Sequence, residues 1–184
     1  MTRKICVVIT ARPSYARIRS ALYAIQDDPN LELQLIISGS ALLPKYGSAI
    51  DFIVEDGFVP DAQIYHIVEG ETLLSSAKST GIAVIELSSE LNKLKPDAVI
   101  TIADRYETLA TAIAASYLNI PVVHIQGGEI TGSIDEKVRH AVTKLSDLHF
   151  VSTNKAYERV IGMGENPEFV HVTGCPSIDI ARKI

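Results

Sequence analysis

The chain has 184 residues, 47% apolar and 21% charged, with 22 acidic against 17 basic residues and a net charge of −5 at pH 7. That length allows one domain with a full core, and an acidic balance with no polybasic run argues against nucleic acid or an anionic membrane as partner. The basic start leads into too short an apolar run for a signal peptide, no stretch is apolar for long enough to span a bilayer, and Cys6 and Cys175 lack metal-type spacing, which points to free thiols and a cytoplasmic location.

In chain order, the apolar run 4–10 predicts a strand, followed by a helix over 14–26, a strand over 33–38 and a helix over 44–54. A short strand at 64–68 then precedes a long helical stretch, 71–95, with a break in it. Next come strand 97–103, helix 105–117, strand 121–126, helix 134–146, strand 148–153, helix 155–163 and strand 169–174. The strands are Val- and Ile-rich and apolar on both faces, as central strands of a covered parallel sheet are. Their alternation with helices implies right-handed βαβ units and an α/β, doubly wound, Rossmann-like domain over 1–184. The chain ends just after a strand, a turn and a helix start, which suggests a missing second half. The amphipathic stretch 71–94 packs on the sheet first and is also a candidate subunit contact; a homo-oligomer, dimer or tetramer, is expected.

Ligands of such a sheet bind outside the carboxyl ends of its strands. After the first strand, "ARPSYARI" sets Arg12 at a helix start, a seat for a phosphate or simply a solvated turn residue. Neither G-x-G-x-x-G nor a phosphate loop with G-K-[ST] is present, which argues against dinucleotide chemistry and P-loop hydrolysis. After strand 97–103, Asp104 and Glu107 have the spacing of a capping box, or else Asp104 is a carboxylate facing the crevice with Arg105 beside it. His124 and Gln126 alternate along their strand and point to one side, although a lone His on a strand is also read as a core residue with a satisfied hydrogen bond. Gly127 and Gly128 form a tight turn or admit a ligand to the backbone, with Glu129 next. Ser133 and Glu136 form a second capping box, and Asp135 and Arg139 share a helix face, so that Arg139 orients Asp135 at the crevice. Ile134, Val138, Ala141 and Leu145 mark the buried face of that helix. Carboxylates beside arginines suit proton abstraction and return on a phosphate-bearing substrate.

The segments "ADRYETLA", "HIQGGEITGSIDEKVRHAVTKL" and "VTGCPSID", with "ITARPSYARI", "SGSALLPKYG" and "LNKLKPDAVI" in the matching order, resemble the UDP-N-acetylglucosamine 2-epimerases. The likeness is to the hydrolysing branch that makes N-acetylmannosamine for sialic acid synthesis. It implies the amino-terminal half of a two-domain, glycosyltransferase-B-like enzyme binding a UDP-sugar, with no metal and no redox cofactor. In that family a carboxylate removes the C2 proton as UDP leaves C1; water then adds to the 2-acetamidoglucal and a proton returns to the other face. By position, Asp104 and Asp135 match the acid/base carboxylates, and Arg12 and Arg105 match residues near the phosphates. Gln126, the third candidate catalytic position, sits where many members have Glu; its amide can position substrate or water but cannot exchange a proton. His124, Gly127, Gly128, Glu129 and Arg139 complete the expected substrate contacts. Ala103 replaces a common Gly. The resemblance equally fits an epimerase of a UDP-diacetamido sugar; a glycosyltransferase of this architecture and a non-catalytic sugar-nucleotide-binding domain are the other readings.

Overall fold

The computed structural model describes residues 2–181; Met1 and residues 182–184 of the expected 1–184 domain lie outside it. Seven strands form one parallel sheet in the order β3-β2-β1-β4-β5-β6-β7. They are β1 (Arg3–Ile9), β2 (Leu31–Ser38), β3 (Ala62–Ile64), β4 (Ala98–Ile102), β5 (Val122–Ile125), β6 (Leu148–Val151) and β7 (Val170–Val172). The helices are α1 (Arg12–Asp27), α2 (Ala49–Glu55), α3 (Leu73–Leu94), α4 (Tyr106–Tyr117), α5 (Ile134–Lys144), α6 (Asn154–Gly162) and α7 (Pro176–Ala181).

Alternation along each strand feeds two cores. Val7, Ile9, Leu35 and Ile37 face α1 and α2, packing on Ile18, Leu22 and Ile53. Cys6, Val8 and Ile36 face the other way, against Leu87 and Leu91 of α3 and Ala110 and Ala114 of α4. Two-sided burial is why β1 and β2 read as continuous apolar runs rather than alternating ones. No helix among the described residues is long and apolar enough to cross a membrane.

Four local expectations are corrected. The helix expected over 44–54 is split into a 3-10 turn (Pro44–Tyr46) and α2, because Gly47 and Ser48 both take positive φ, 84° and 35°. The strand expected at 64–68 lies earlier, at Ala62–Ile64, where Asp61 bonds Leu35 through both its amide and its carboxylate. The 71–95 stretch has no break: a Thr72–Ser75 capping box starts α3, and Ser75, Ser79, Ala83, Leu87 and Leu91 run down one buried line past Gly81. Ile134, expected on the buried face of α5, is 64% exposed, since it precedes the turn that Val138 and Val142 bury.

Candidate active site at the carboxyl edge

β4 and β5 leave the sheet side by side: Ile102 pairs with Ile125, and the next residues, Ala103 and Gln126, both turn left-handed at φ 69° and 66°. Neither is glycine, so both turns carry backbone strain that the surroundings must hold. His124 supplies part of that hold. It has no exposed surface; its Nε2–H donates to the Ala103 carbonyl at 3.0 Å, and Nδ1 lies 3.2 Å from the Thr143 hydroxyl. Burial pushes its pKa down to about 4, against the opposing pull of the Ala103 carbonyl. The ring is therefore neutral at pH 7 and acts from beneath the crevice, bracing the turn that carries Asp104. Of the two roles open to His124, substrate contact and satisfied core residue, the structure shows the second.

Asp104 forms an ion pair with Arg139 of α5, with side chains only 16% and 5% exposed. Arg139 also donates to the Glu129 carbonyl at 2.7 Å. Burial, then the nearby charge of Arg17, lowers the Arg139 pKa from its ordinary value, but a guanidinium stays ionised and Asp104 supplies its counter-charge. Asp104 is thus spoken for by a cation rather than by a helix: the N-cap of α4 is Arg105, which makes no side-chain cap, and the expected Asp104–Glu107 capping box does not form. A charge-assisted bond to a buried guanidinium outcompetes one to a half-solvated amide.

Asp104, Arg139, Gln126 and Glu129 line a hollow of about 420 Å³ with Arg17 and Cys175. Gln126 Nε2 donates to Cys175 Sγ at 3.2 Å. Arg17 and Cys175 were not expected at the site, although both lie in the segments "ITARPSYARI" and "VTGCPSID" that carry the family resemblance; one arrives by the turn of α1, the other from the loop before α7.

The remaining candidates lie elsewhere. Arg12 and Arg105 share a second hollow of about 280 Å³ with Ser40, Tyr46 and Tyr106, and Arg12 stacks 4.8 Å over the Phe52 ring. Asp135 lines neither hollow. It sits in the first turn of α5, where Ser133 caps its amide at 3.2 Å and its charge bears on Arg105. The expected pairing of Asp135 with Arg139 is absent, because Arg139 points inward to Asp104. Ser133 is the N-cap as expected, but Glu136 bonds the amides of Thr131 and Gly132 at 2.9 and 2.8 Å instead of closing a box. Gly127 and Gly128 are buried, against His124 and Thr143 and against the backbone of α6; a Cβ on Gly128 would sit 2.4 Å from the Ala156 carbonyl. They serve close packing of the chain. Among the described residues no three His, Cys, Asp or Glu side chains gather as a metal cage.

The chain is similar to known proteins along nearly its whole length. Residues 23–183 match the family model described as UDP-N-acetylglucosamine 2-epimerase. The UDP-N,N'-diacetylbacillosamine 2-epimerase (hydrolyzing) of Legionella pneumophila is 37% identical over 97% of this chain and 48% of its own. The GDP/UDP-N,N'-diacetylbacillosamine 2-epimerase (hydrolyzing) of Campylobacter jejuni is 36% identical over 99% of this chain and 47% of its own. In fold, the Neisseria meningitidis UDP-GlcNAc 2-epimerase, solved bound to UDP-GlcNAc, superposes with a TM-score of 0.86 at 23% identity, covering 98% of this chain and 49% of its own. The chain spans about half the length of the curated relatives it matches. With 161 consecutive residues under the family model (23 to 183), the chain belongs to the UDP-N-acetylglucosamine 2-epimerase family.

Proposed function

We propose that this chain is the amino-terminal domain of a two-domain hydrolysing 2-epimerase that acts on a UDP-2-acetamido sugar, with UDP-N-acetylglucosamine as its first candidate. The observation that carries the reading is Asp104, a carboxylate held by buried Arg139 at the edge of a hollow of about 420 Å³. Asp104 takes the C2 proton as the C1–O bond to UDP breaks, and the electrons of the C2–H bond form the C1=C2 double bond. A carboxylic acid on the opposite face then gives its proton to C2 as water adds its oxygen to C1, the water's spare proton passing to the carboxylate so formed and the proton on Asp104 passing to solvent. Inversion needs a second donor on that face; Asp135, in the first turn of α5, is the carboxylate proposed for it, which requires the sugar to lie across the mouth of the Asp104 hollow rather than within it. Arg12 and Arg105, together in the second hollow, bind the diphosphate. Gln126 accepts or donates a hydrogen bond to the sugar without exchanging a proton.

A 2,4-diacetamido sugar is the second reading, favoured by the names of the relatives at 37% and 36% identity. Offering both UDP-sugars to the two-domain enzyme and following UDP release separates the two. Retention of UDP on the epimerised product would contradict hydrolysis, and turnover of neither sugar would end the proposal. The 184-residue chain alone should turn over slowly or not at all, because half of the cleft lies outside it. The enzyme is also proposed to be a cytoplasmic homo-oligomer that uses the outer face of α3, where Leu74 and Ile85 are 65% and 66% exposed. Sedimentation of an Ile85→Glu variant tests the contact; an unchanged mass would rule that face out.

A further inference from the structure

Glu107 lies in the first turn of α4 with a side chain that has no exposed surface. Its two oxygens accept from one residue, Arg105: Nε to Oε2 and Nη2 to Oε1, both at 3.1 Å. The Arg105 side chain is 42% exposed, so the arrangement runs against the usual preference. A surface guanidinium can be solvated by water, whereas taking a carboxylate out of water costs several kcal/mol unless a partner repays it. The first turn of a helix favours an acidic residue electrostatically, but a solvated one would serve. Something other than capping therefore keeps this carboxylate inside.

We propose that Glu107 is a positioning residue: it grips one edge of the Arg105 guanidinium from below, so that the opposite edge is fixed as a fork for a substrate phosphate. A guanidinium has five N–H donors; Nε and one hydrogen of Nη2 are committed to Glu107, leaving three without a partner among the described residues. The Arg105 side chain is 42% exposed and forms wall common to a hollow of about 530 Å³ and the hollow of about 280 Å³ that it shares with Arg12. A planar fork held at one edge suits bidentate capture of a phosphate at the other. His66, 3% exposed and with both ring nitrogens unpartnered, sits beside Glu107 under Gly39. Burial lowers its pKa despite the charge of Glu107, so at neutral pH it offers the carboxylate no positive charge in place of that of Arg105. Burial also pulls the Arg105 pKa down, but the charge of Glu107 and the bonds to it leave it raised overall.

The inference rests on the proposed reading of Arg105 as a phosphate contact, and the test separates the two. Pyrophosphate is titrated into the 184-residue chain while the Arg105 Nε–H signal is followed by NMR. The parent should show a slowly exchanging Nε–H that moves on titration. Glu107→Gln, which keeps the shape and removes the charge, should weaken pyrophosphate binding by about 10-fold, the cost of re-ordering one freed side chain. Glu107→Asp should recover part of it. A parent that binds no pyrophosphate would overturn both readings; an unchanged affinity in Glu107→Gln would overturn this one alone. If Glu107→Gln does not fold, the parent titration decides: an Arg105 Nε–H that stays unmoved as pyrophosphate binds elsewhere also overturns it.

Discussion

Arg139 reaches from α5 back to Asp104 at the end of β4 and pairs with it almost out of contact with water. The pair fixes a carboxylate at the carboxyl edge and joins two elements 35 residues apart. Asp104→Ala would leave Arg139 buried without its counter-charge. Breaking such a pair costs roughly 3–5 kcal/mol, and the partial exposure of Asp104 puts the expected loss at the lower end, about 3 kcal/mol. Urea unfolding of the chain measures it; a loss below 1 kcal/mol, roughly the value of an exposed pair, would mean the pair is solvated.

Asp104→Asn keeps the shape and can still accept from Arg139, so its effect should fall on chemistry. In the two-domain enzyme it should lower turnover by about 100-fold or more and abolish exchange of the C2 proton with solvent. Asp135→Asn should instead leave C2 exchange and UDP release running while 2-acetamidoglucal accumulates. Identical phenotypes for the two variants would contradict their separate roles.

Gln126→Ala should reduce kcat/KM by roughly 10-fold, the scale of one substrate hydrogen bond, without moving the pH–rate profile, since an amide contributes no titrating proton. A shifted profile would mean that the residue tunes a neighbouring acid.

The turn at Ala103 should relax when glycine replaces it. A left-handed L-residue costs about 1–2 kcal/mol, and part of the gain is lost to the larger unfolded-state freedom of glycine. Ala103→Gly should therefore raise stability by roughly 0.5–1 kcal/mol, read as a higher urea midpoint at unchanged m-value. A fall would mean that the φ of 69° at this position is not strained.

The buried imidazole of His124 makes the fold sensitive to acid. Its folded pKa, about 4, lies below the ordinary 6.5, so the unfolded chain binds more protons between those values. Its contribution is complete above pH 6.5 and is lost as the pH falls towards 4, with a slope of at most about 1.4 kcal/mol per pH unit. His66 and His149, also lowered by burial, add in the same direction. His124→Asn should flatten the slope in this window in urea titrations; an unchanged slope would mean His124 is charged in the native state.

The sheet was legible because two-sided burial writes itself as apolar runs, and β1, β2, β4 and β5 all carry that pattern. The site was legible as a neighbourhood, since strand ends of a parallel sheet share one edge. Its pairings were not. Asp104 with Glu107, and Asp135 with Arg139, have the sequence spacing of local partners, yet Asp104 and Arg139 chose each other across a long separation, and Glu107 took Arg105. Spacing along a helix fixes which residues share a face but not which way a long side chain bends once a buried opposite charge is in reach. Gly47–Ser48 likewise broke a helix that the apolar pattern alone carried through.

The most direct test is the fate of carbon C2. The two-domain enzyme is incubated with UDP-N-acetylglucosamine, and in parallel with its 2,4-diacetamido counterpart, in deuterated water, and products are followed by NMR. Free UDP and a free manno-configured sugar carrying deuterium at C2, dependent on Asp104, are the expected products. UDP release with C2 still protonated and its configuration unchanged would contradict proton removal at C2, and with it the function proposed for this edge of the sheet.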